Sequence, residues 1–391
     1  MAKRKFNLPG IQDLSKEQED ARALPKNGQH LIIGGPGTGK SVLALLRSRR
    51  HQQDDGKKSY VFLIYNHLLN QASFQLFEMP LSSKQWQSWF MSHFNEVTGQ
   101  PIPRLPAVIG SKWREFNWQG VFEIIESQPV PSDQGLPYLI IDEGQDMPPE
   151  FYQALTHLNF ENFFVVADQN QQIAPGKNST RQDIENCLGI STHEVLELHD
   201  NYRNNYPVAR LAREFYTNDP ASPPPQLPAS GGPGSRHPML YEYKPDLFPK
   251  IIERILINAD KDPSKLIGII TPNDDVRVRY YNNLVSAAVV LDHDRPNIST
   301  FKKGDKHTMA FNEGGIMVIN AQACKGLEFD TVFLADIHQY RCYPMIRDAV
   351  KRLFYVMVAR AKEQVFMLKE AGRNCPVDAI LPVDPDVLER K

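Results

Sequence analysis

Residues 34–41 read Gly-Gly-Pro-Gly-Thr-Gly-Lys-Ser and directly follow the apolar run Leu31-Ile32-Ile33. The stretch satisfies G-x-x-x-x-G-K-[ST] in full, with a short buried strand entering it and Val42-Leu43-Ala44-Leu45-Leu46 leaving it as a helix. Glycine without a Cβ lets consecutive backbone N–H groups turn inward on a phosphate, and the helix N-terminus adds the positive end of its dipole. Gly35, Pro36, Gly37, Thr38 and Gly39 would form that cradle. Lys40 would reach the β and γ phosphates, and Ser41 would hold Mg²⁺. The alternative is a glycine-rich turn opening a helix. The complete pattern with both flanks predicts a nucleoside-triphosphate site on a parallel α/β sheet.

The rest of such a site is written downstream. Tyr138-Leu139-Ile140-Ile141 reads as a buried strand, and Asp142-Glu143 stand at its end. Asp142 can hold Mg²⁺ through its water shell, and Glu143 can orient and deprotonate an attacking water. A further strand over residues 163–167 ends in Asp168-Gln169-Asn170-Gln171, polar groups able to sense a γ-phosphate or simply to make a turn. In an open parallel sheet, ligands collect at the carboxyl ends of strands. Tyr65, Asn66 and His67, which close the strand starting at Tyr60, therefore face the working edge.

A length of 391 residues suggests two or three domains. Residues 217–238 carry seven prolines and three glycines, which neither a helix nor a sheet interior accepts, so this stretch is the linker. Beyond it strands are expected at 239–243, 266–271, 316–320, 331–335 and 365–368, with helices at 247–259, 275–287 and 346–361. That alternation builds a second parallel sheet, which has no phosphate loop of its own. A phosphate-binding sheet joined to a sheet without a loop invites an arginine finger from the second to the first, and the helix carrying Arg352, Tyr355 and Arg360 can supply it. The divisions are thus a first domain at 1–216 with a small insertion at about 71–135, the linker, and a second domain at 239–391. The insertion holds Trp86, Trp89, Phe90, Phe94, Trp113 and Phe116 among Lys84, Arg104, Lys112 and Arg114, either a core or a stacking platform for bases.

Composition narrows the partners. No apolar run approaches the roughly 18 residues of a membrane helix, and the N-terminus lacks a signal-peptide core, so a cytoplasmic protein is expected. Four scattered cysteines suggest neither a disulfide framework nor a zinc site. A net charge of -2 argues against strong non-specific nucleic-acid binding while leaving room for a local groove.

Taken in order, the motifs resemble the superfamily 1 helicases of the UvrD/Rep/PcrA type over residues 14–368. Leu14 to Gln18 resembles the adenine-reading Q motif, although Ser15 and Gln18 also have capping-box spacing. Ile141-Asp142-Glu143-Gly144-Gln145-Asp146 resembles motif II, Asp168 and Gln171 motif III, and Leu198-His199-Asp200-Asn201-Tyr202-Arg203 motif IV. Lys325-Gly326-Leu327-Glu328-Phe329 resembles motif V, and residues 352–361 motif VI. The resemblance implies two RecA-like domains of a P-loop NTPase closing on ATP and Mg²⁺ in the cleft between them. By it Gln18 meets adenine, Tyr202 stacks on the base, Glu328 binds the ribose and Gly326, in the same motif, belongs to the nucleotide-binding set. Gln171 and Arg203 face the γ-phosphate and Arg360 is the finger. Gln322 stands where the family has a track-side His, Ala174 where it has a base-stacking aromatic, and Ala359 where it has a Thr. The interval from Arg203 to Lys325 is too short for the large second-domain insertion of full helicases.

These features imply an ATP-dependent translocase or helicase on single-stranded DNA, 3′ to 5′ by resemblance, in DNA repair or defence against foreign DNA. Tyr65, Asn66, His67, Trp86 and Gln322 are the candidate strand contacts. The alternative is a nucleotide-gated regulatory subunit working with a partner nuclease, and RNA is a third possible track.

Overall fold

The computed structural model describes residues 14–64, 83–107, 114–127, 135–171, 178–217, 224–229, 236–301 and 313–391. Tyr65, Asn66, His67 and Ala174 lie outside the described residues.

Six short strands make the first sheet: β1 Gln29–Gly34, β2 Tyr60–Ile64, β3 Ser83–Gln85, β4 Tyr138–Ile141, β5 Phe163–Ala167 and β6 Leu196–Leu198. They are ordered β3-β2-β4-β5-β1-β6, all parallel. Strands covered on both faces read as continuous apolar runs, as Tyr-Leu-Ile-Ile and Phe-Phe-Val-Val-Ala do here. Successive side chains go to opposite faces. Leu31, Ile33, Ile141 and Val165 thus meet Phe90, Phe94 and Phe151, whereas Ile32, Ile140 and Val166 meet Leu43 and Ala44 of the helix Lys40–Asp54. The chain leaves β1 for β2, passing over the positions later filled by β5 and β4, and returns to β6 on the other side of β1. The carboxyl ends of β1, β4 and β5 therefore open side by side.

The second sheet holds β7 Met239–Tyr243, β8 Leu266–Thr271, β9 Ile298–Thr300, β10 Gly315–Asn320, β11 Phe329–Leu334, β12 Ala361–Glu370 and β13 Glu389–Arg390. Its order is β13-β7-β12-β11-β8-β10-β9, again parallel throughout. Helices Phe248–Asp260 and Asp274–Ser286 cover the face of Ile267, Ile269 and Val318, and helix Arg347–Val358 the face of Ile270, Met317 and Leu334.

Two expectations differ from the observed packing. The helix Tyr206–Glu214 was expected in the first domain, ahead of a boundary at Tyr216; its Val208, Leu211 and Ala212, with Phe215 just beyond, pack into the core of the second sheet against Phe354. Burying each of Val208, Leu211 and Phe215 is worth about 1.5–3 kcal/mol, and they bury against the second sheet. The reading of Trp86 as a base-stacking residue is corrected as well. Trp86 opens the helix Trp86–Thr98, is only 4% exposed, and meets the Phe151 ring edge-on at 4.9 Å. Trp89 and Phe90 are buried in the same cluster, and the Arg104 guanidinium lies over Phe116. A helix this rich in aromatics has more apolar surface than water tolerates, and the sheet face takes it. The four cysteines are free thiols, and among the described residues no helix is long and apolar enough to cross a membrane.

Candidate nucleotide site between two sheets

β1 delivers the chain into the glycine loop, where Gly37 and Gly39 take φ values of 80° and 90°. A Cβ on Gly37 would stand 2.2 Å from Asn201 Oδ1, and one on Gly39 would stand 2.4 Å from Gln18 Nε2. Left-handed backbone and lack of space both require glycine. Lys40 is the first residue of the following helix and is only 7% exposed. Its ammonium donates to the carbonyls of Gly34 at 2.6 Å and Gly35 at 2.7 Å, and lies 3.9 Å from Asp168. Burial holds its pKa below the ordinary lysine value against the pull of Asp168 and Glu143. Thr38 Oγ1 donates to Gly35 O at 2.9 Å, which closes the loop on itself.

Gln18 does what both readings of the sequence allow. Its Oε1 accepts from Ser15 N and its backbone N–H donates to Ser15 Oγ, completing the capping box of the helix Lys16–Ala23. Its Nε2 donates to Thr38 O at 2.9 Å, tying that helix to the phosphate loop. Tyr202 donates its backbone N–H to Gly37 O at 2.8 Å and leaves its ring 56% exposed beside the loop.

At the end of β4, Asp142 is hydrogen-bonded to Ser41, and burial together with Glu143 pushes its pKa up to about 6. Two hard oxygen donors joined in this way suit Mg²⁺, which takes one or two protein oxygens and fills the rest of its shell with phosphate and water. Glu143 follows with φ 55°, a left-handed value uncommon for a side-chain-bearing residue. Burial pushes its pKa up, but Lys325, Lys40 and Arg360 outweigh that and leave it below the ordinary carboxylate value.

The second sheet reaches into this corner. Lys325, between β10 and β11, donates to Asp146 Oδ1 at 2.7 Å and to the carbonyl of Gln171 at 2.7 Å, and lies 3.9 Å from Glu143 Oε2. Burial opposes its charge, yet Asp146 and Glu143 raise its pKa above the ordinary value. Arg360, just beyond the helix Arg347–Val358, is 1% exposed. Its Nε donates to Val356 O at 3.0 Å and its terminal nitrogen to Gln171 Oε1 at 2.7 Å. Gln171 Nε2 in turn donates to Asp168 Oδ2 at 2.6 Å. Arg203 Nε donates to Glu328 Oε1 at 2.7 Å. Burial would raise the pKa of Glu328, but Arg203 and Lys362 hold it down at about 2. Gly326 turns with φ 79° beside them, and Gln322 is exposed.

The structure thus brings Gln18, Lys40, Ser41, Asp142, Glu143, Gln171, Arg203, Tyr202, Glu328 and Arg360 around one loop. It places Arg203 close enough to Lys40 and to Arg360 to disfavour the charged form of each, a gathering of positive charge that an oligophosphate would neutralise. Sequence reasoning missed the clasp that holds the two sheets in register. Asn204 Nδ2 donates to Ala359 O at 3.1 Å and to Ala361 O, while Asn205 N donates to Lys362 O at 2.8 Å. It also missed that Pro225, in the proline-rich stretch, packs on the phosphate loop so closely that a Cβ on Gly35 would stand 2.4 Å from its ring. Neither carries a motif; the pair Asn204-Asn205 shortly after Leu198 was the available signal for the first.

Residues 29–230, more than half of the chain, match the family described as Schlafen group 3, DNA/RNA helicase domain. Residues 315–368 match the UvrD-like helicase C-terminal domain. Among solved structures, the C-terminal domain of a possible DNA helicase from Lactobacillus plantarum is similar at 15% identity and a TM-score of 0.34, covering 48% of this chain and 97% of that one. No curated protein matches the sequence. With its phosphate loop, its two parallel sheets and a family match over more than half its length, the chain belongs to the Schlafen group 3 DNA/RNA helicase domain family.

Proposed function

We propose that the chain hydrolyses ATP in the cleft between its two sheets and uses the cycle to move along, or regrip, a single strand of DNA. The observation that carries this is the reach of Arg360 and Lys325 from the second sheet to Gln171 and Asp146 of the first, beside the phosphate loop. A site completed by two bodies changes their separation when its contents change, and that is what a translocase needs.

In this reading Lys40 exchanges the carbonyls of Gly34 and Gly35 for the β and γ phosphates, and loop N–H groups take the remaining oxygens. Ser41 and Asp142 would hold Mg²⁺, which neutralises phosphate charge when bound. Glu143 accepts the proton of the attacking water. Arg203 and Arg360 stabilise the charge that builds on the transferred phosphoryl group, and Arg203 must first loosen its pair with Glu328, freeing that carboxylate for the ribose. Gln18 and Tyr202 border the base. Gln171, bonded to both Asp168 and Arg360, relays the state of the phosphate to the neighbouring sheet. The strand would cross the working edge near Gln322, with 3′ to 5′ polarity by resemblance and a role in DNA repair or defence.

The burial of Trp86 and Trp89 favours a second reading, in which ATP gates a partner such as a nuclease, because the stacking platform they could have supplied is spent on the core. ATP turnover by the full chain with and without single-stranded DNA or RNA separates the two, with Lys40→Ala as control. Stimulation by a strand supports the translocase, turnover indifferent to both strands supports the gated subunit, and absence of Lys40-dependent turnover refutes both.

A further inference from the structure

Gln145 lies two residues beyond Glu143 and is wholly buried. Its Nε2 donates to Glu143 Oε2 at 2.6 Å, and its Oε1 accepts the backbone N–H of Asp168 at 2.9 Å. One amide therefore joins the carboxylate at the end of β4 to the first residue after β5. The amide's two ends suit this: a carboxylate needs a donor and a peptide N–H needs an acceptor. Burial makes both bonds costly to leave unmade.

The carboxylate it holds has a competitor close by. Lys325 Nζ is 3.9 Å from the same Oε2, and a charge-assisted contact would bring the pair to about 2.8 Å. Glu143 is on left-handed backbone, so its side chain starts from a direction that the main chain does not share with ordinary strand residues. A small rotation would close the ion pair and turn the carboxylate toward Lys325. The short bond from Gln145 opposes that rotation and leaves Oε1 outside both interactions.

We infer that Gln145 is a positioning residue for hydrolysis: it keeps the Glu143 carboxylate aimed at the cleft rather than paired with Lys325, and it locks that aim to the backbone of Asp168, whose side chain bonds Gln171. The inference rests on the assignment of Glu143 as the base proposed above. It predicts a loss in the chemical step without a loss in nucleotide binding, since the Gln145 side chain bonds Glu143 and Asp168 and not the phosphate loop.

The test uses the full chain with Gln145→Met, which keeps length and neutrality but removes both hydrogen bonds, and Gln145→Glu, which keeps the acceptor for Asp168 N as a second variant should the first fold poorly. A fluorescent ATP analogue measures affinity and steady-state turnover gives kcat and KM. We expect kcat to fall at least about tenfold, with KM and analogue affinity changed less than about threefold, as a purely transition-state loss requires. In a Glu143→Gln background, adding Gln145→Met should change the residual kcat less than about twofold, because residues acting as one unit are not additive. A kcat within twofold of the parent in a folded variant, or losses that multiply in the double variant, would overturn the inference. Absence of ATP turnover in the parent chain would instead remove the reading on which it rests.

Discussion

Arg360→Ala separates the two-sheet site from a helix-borne arginine serving only the fold. In the structure this guanidinium makes two hydrogen bonds, one to Val356 O within its own segment and one to Gln171 Oε1 on the other sheet. Truncation leaves the buried Gln171 Oε1 without its donor, which costs about 1–3 kcal/mol. For a domain of 150–250 residues each kcal/mol lowers the melting temperature by roughly 2–4 °C, so the variant should melt some degrees lower and remain folded. A finger is worth about 10³-fold or more in hydrolysis, or about 4 kcal/mol at 1.4 kcal/mol per tenfold. The loss of turnover should therefore exceed anything the loss of stability explains. Steady-state ATP hydrolysis at a temperature well below melting, with nucleotide affinity measured alongside, reads both. Arg360→Lys keeps the charge but not the planar fork, and should recover most of the melting temperature while staying far below the parent in kcat. If Arg360→Ala hydrolyses ATP within tenfold of the parent, the second sheet does not complete the site.

Glu143→Gln should retain ATP yet turn it over at least about a hundredfold more slowly; unchanged turnover in a single-turnover assay would remove Glu143 from the chemistry. Trp86→Ala should cost about 3–5 kcal/mol in chemical denaturation, and a variant of unchanged stability that loses strand binding would contradict the buried position found here. Glu328 has its pKa held down in the folded chain, so its stabilising pair is present above the ordinary value of 4.5 and is lost as pH falls toward about 2. Glu328→Gln should accordingly flatten acid unfolding across that window, and identical acid titrations of parent and variant would refute the pairing. With a net charge of -2 and Trp86 spent on the core, the isolated chain should bind single strands weakly, lose them as salt rises and unwind little duplex. Efficient unwinding of long tailed duplexes by the protein alone at physiological salt would defeat this.

The strands on which the site stands were legible in the chain because each is an apolar run flanked by polar or glycine residues, and burial on both faces is the only stable home for Leu31-Ile32-Ile33 or Ile140-Ile141. The phosphate loop, Asp142 and Glu143 were legible because their chemistry depends on neighbours a few residues away. Short edge strands such as Ser83–Gln85 and Glu389–Arg390 were not, since two or three residues carry no period. Trp86 could be read either as core or as a stacking surface, because helical spacing of aromatics says that a face is apolar and not what covers it. Only folding showed that the β-sheet covers it. The same holds for the cleft. Lys325 and Asp146 are 179 positions apart, and Arg360 and Gln171 189. No local rule of pattern or propensity spans such distances; these pairs exist because two sheets dock with their working edges facing. Sequence therefore determined which residues can do phosphate chemistry, and tertiary structure decided which of them meet.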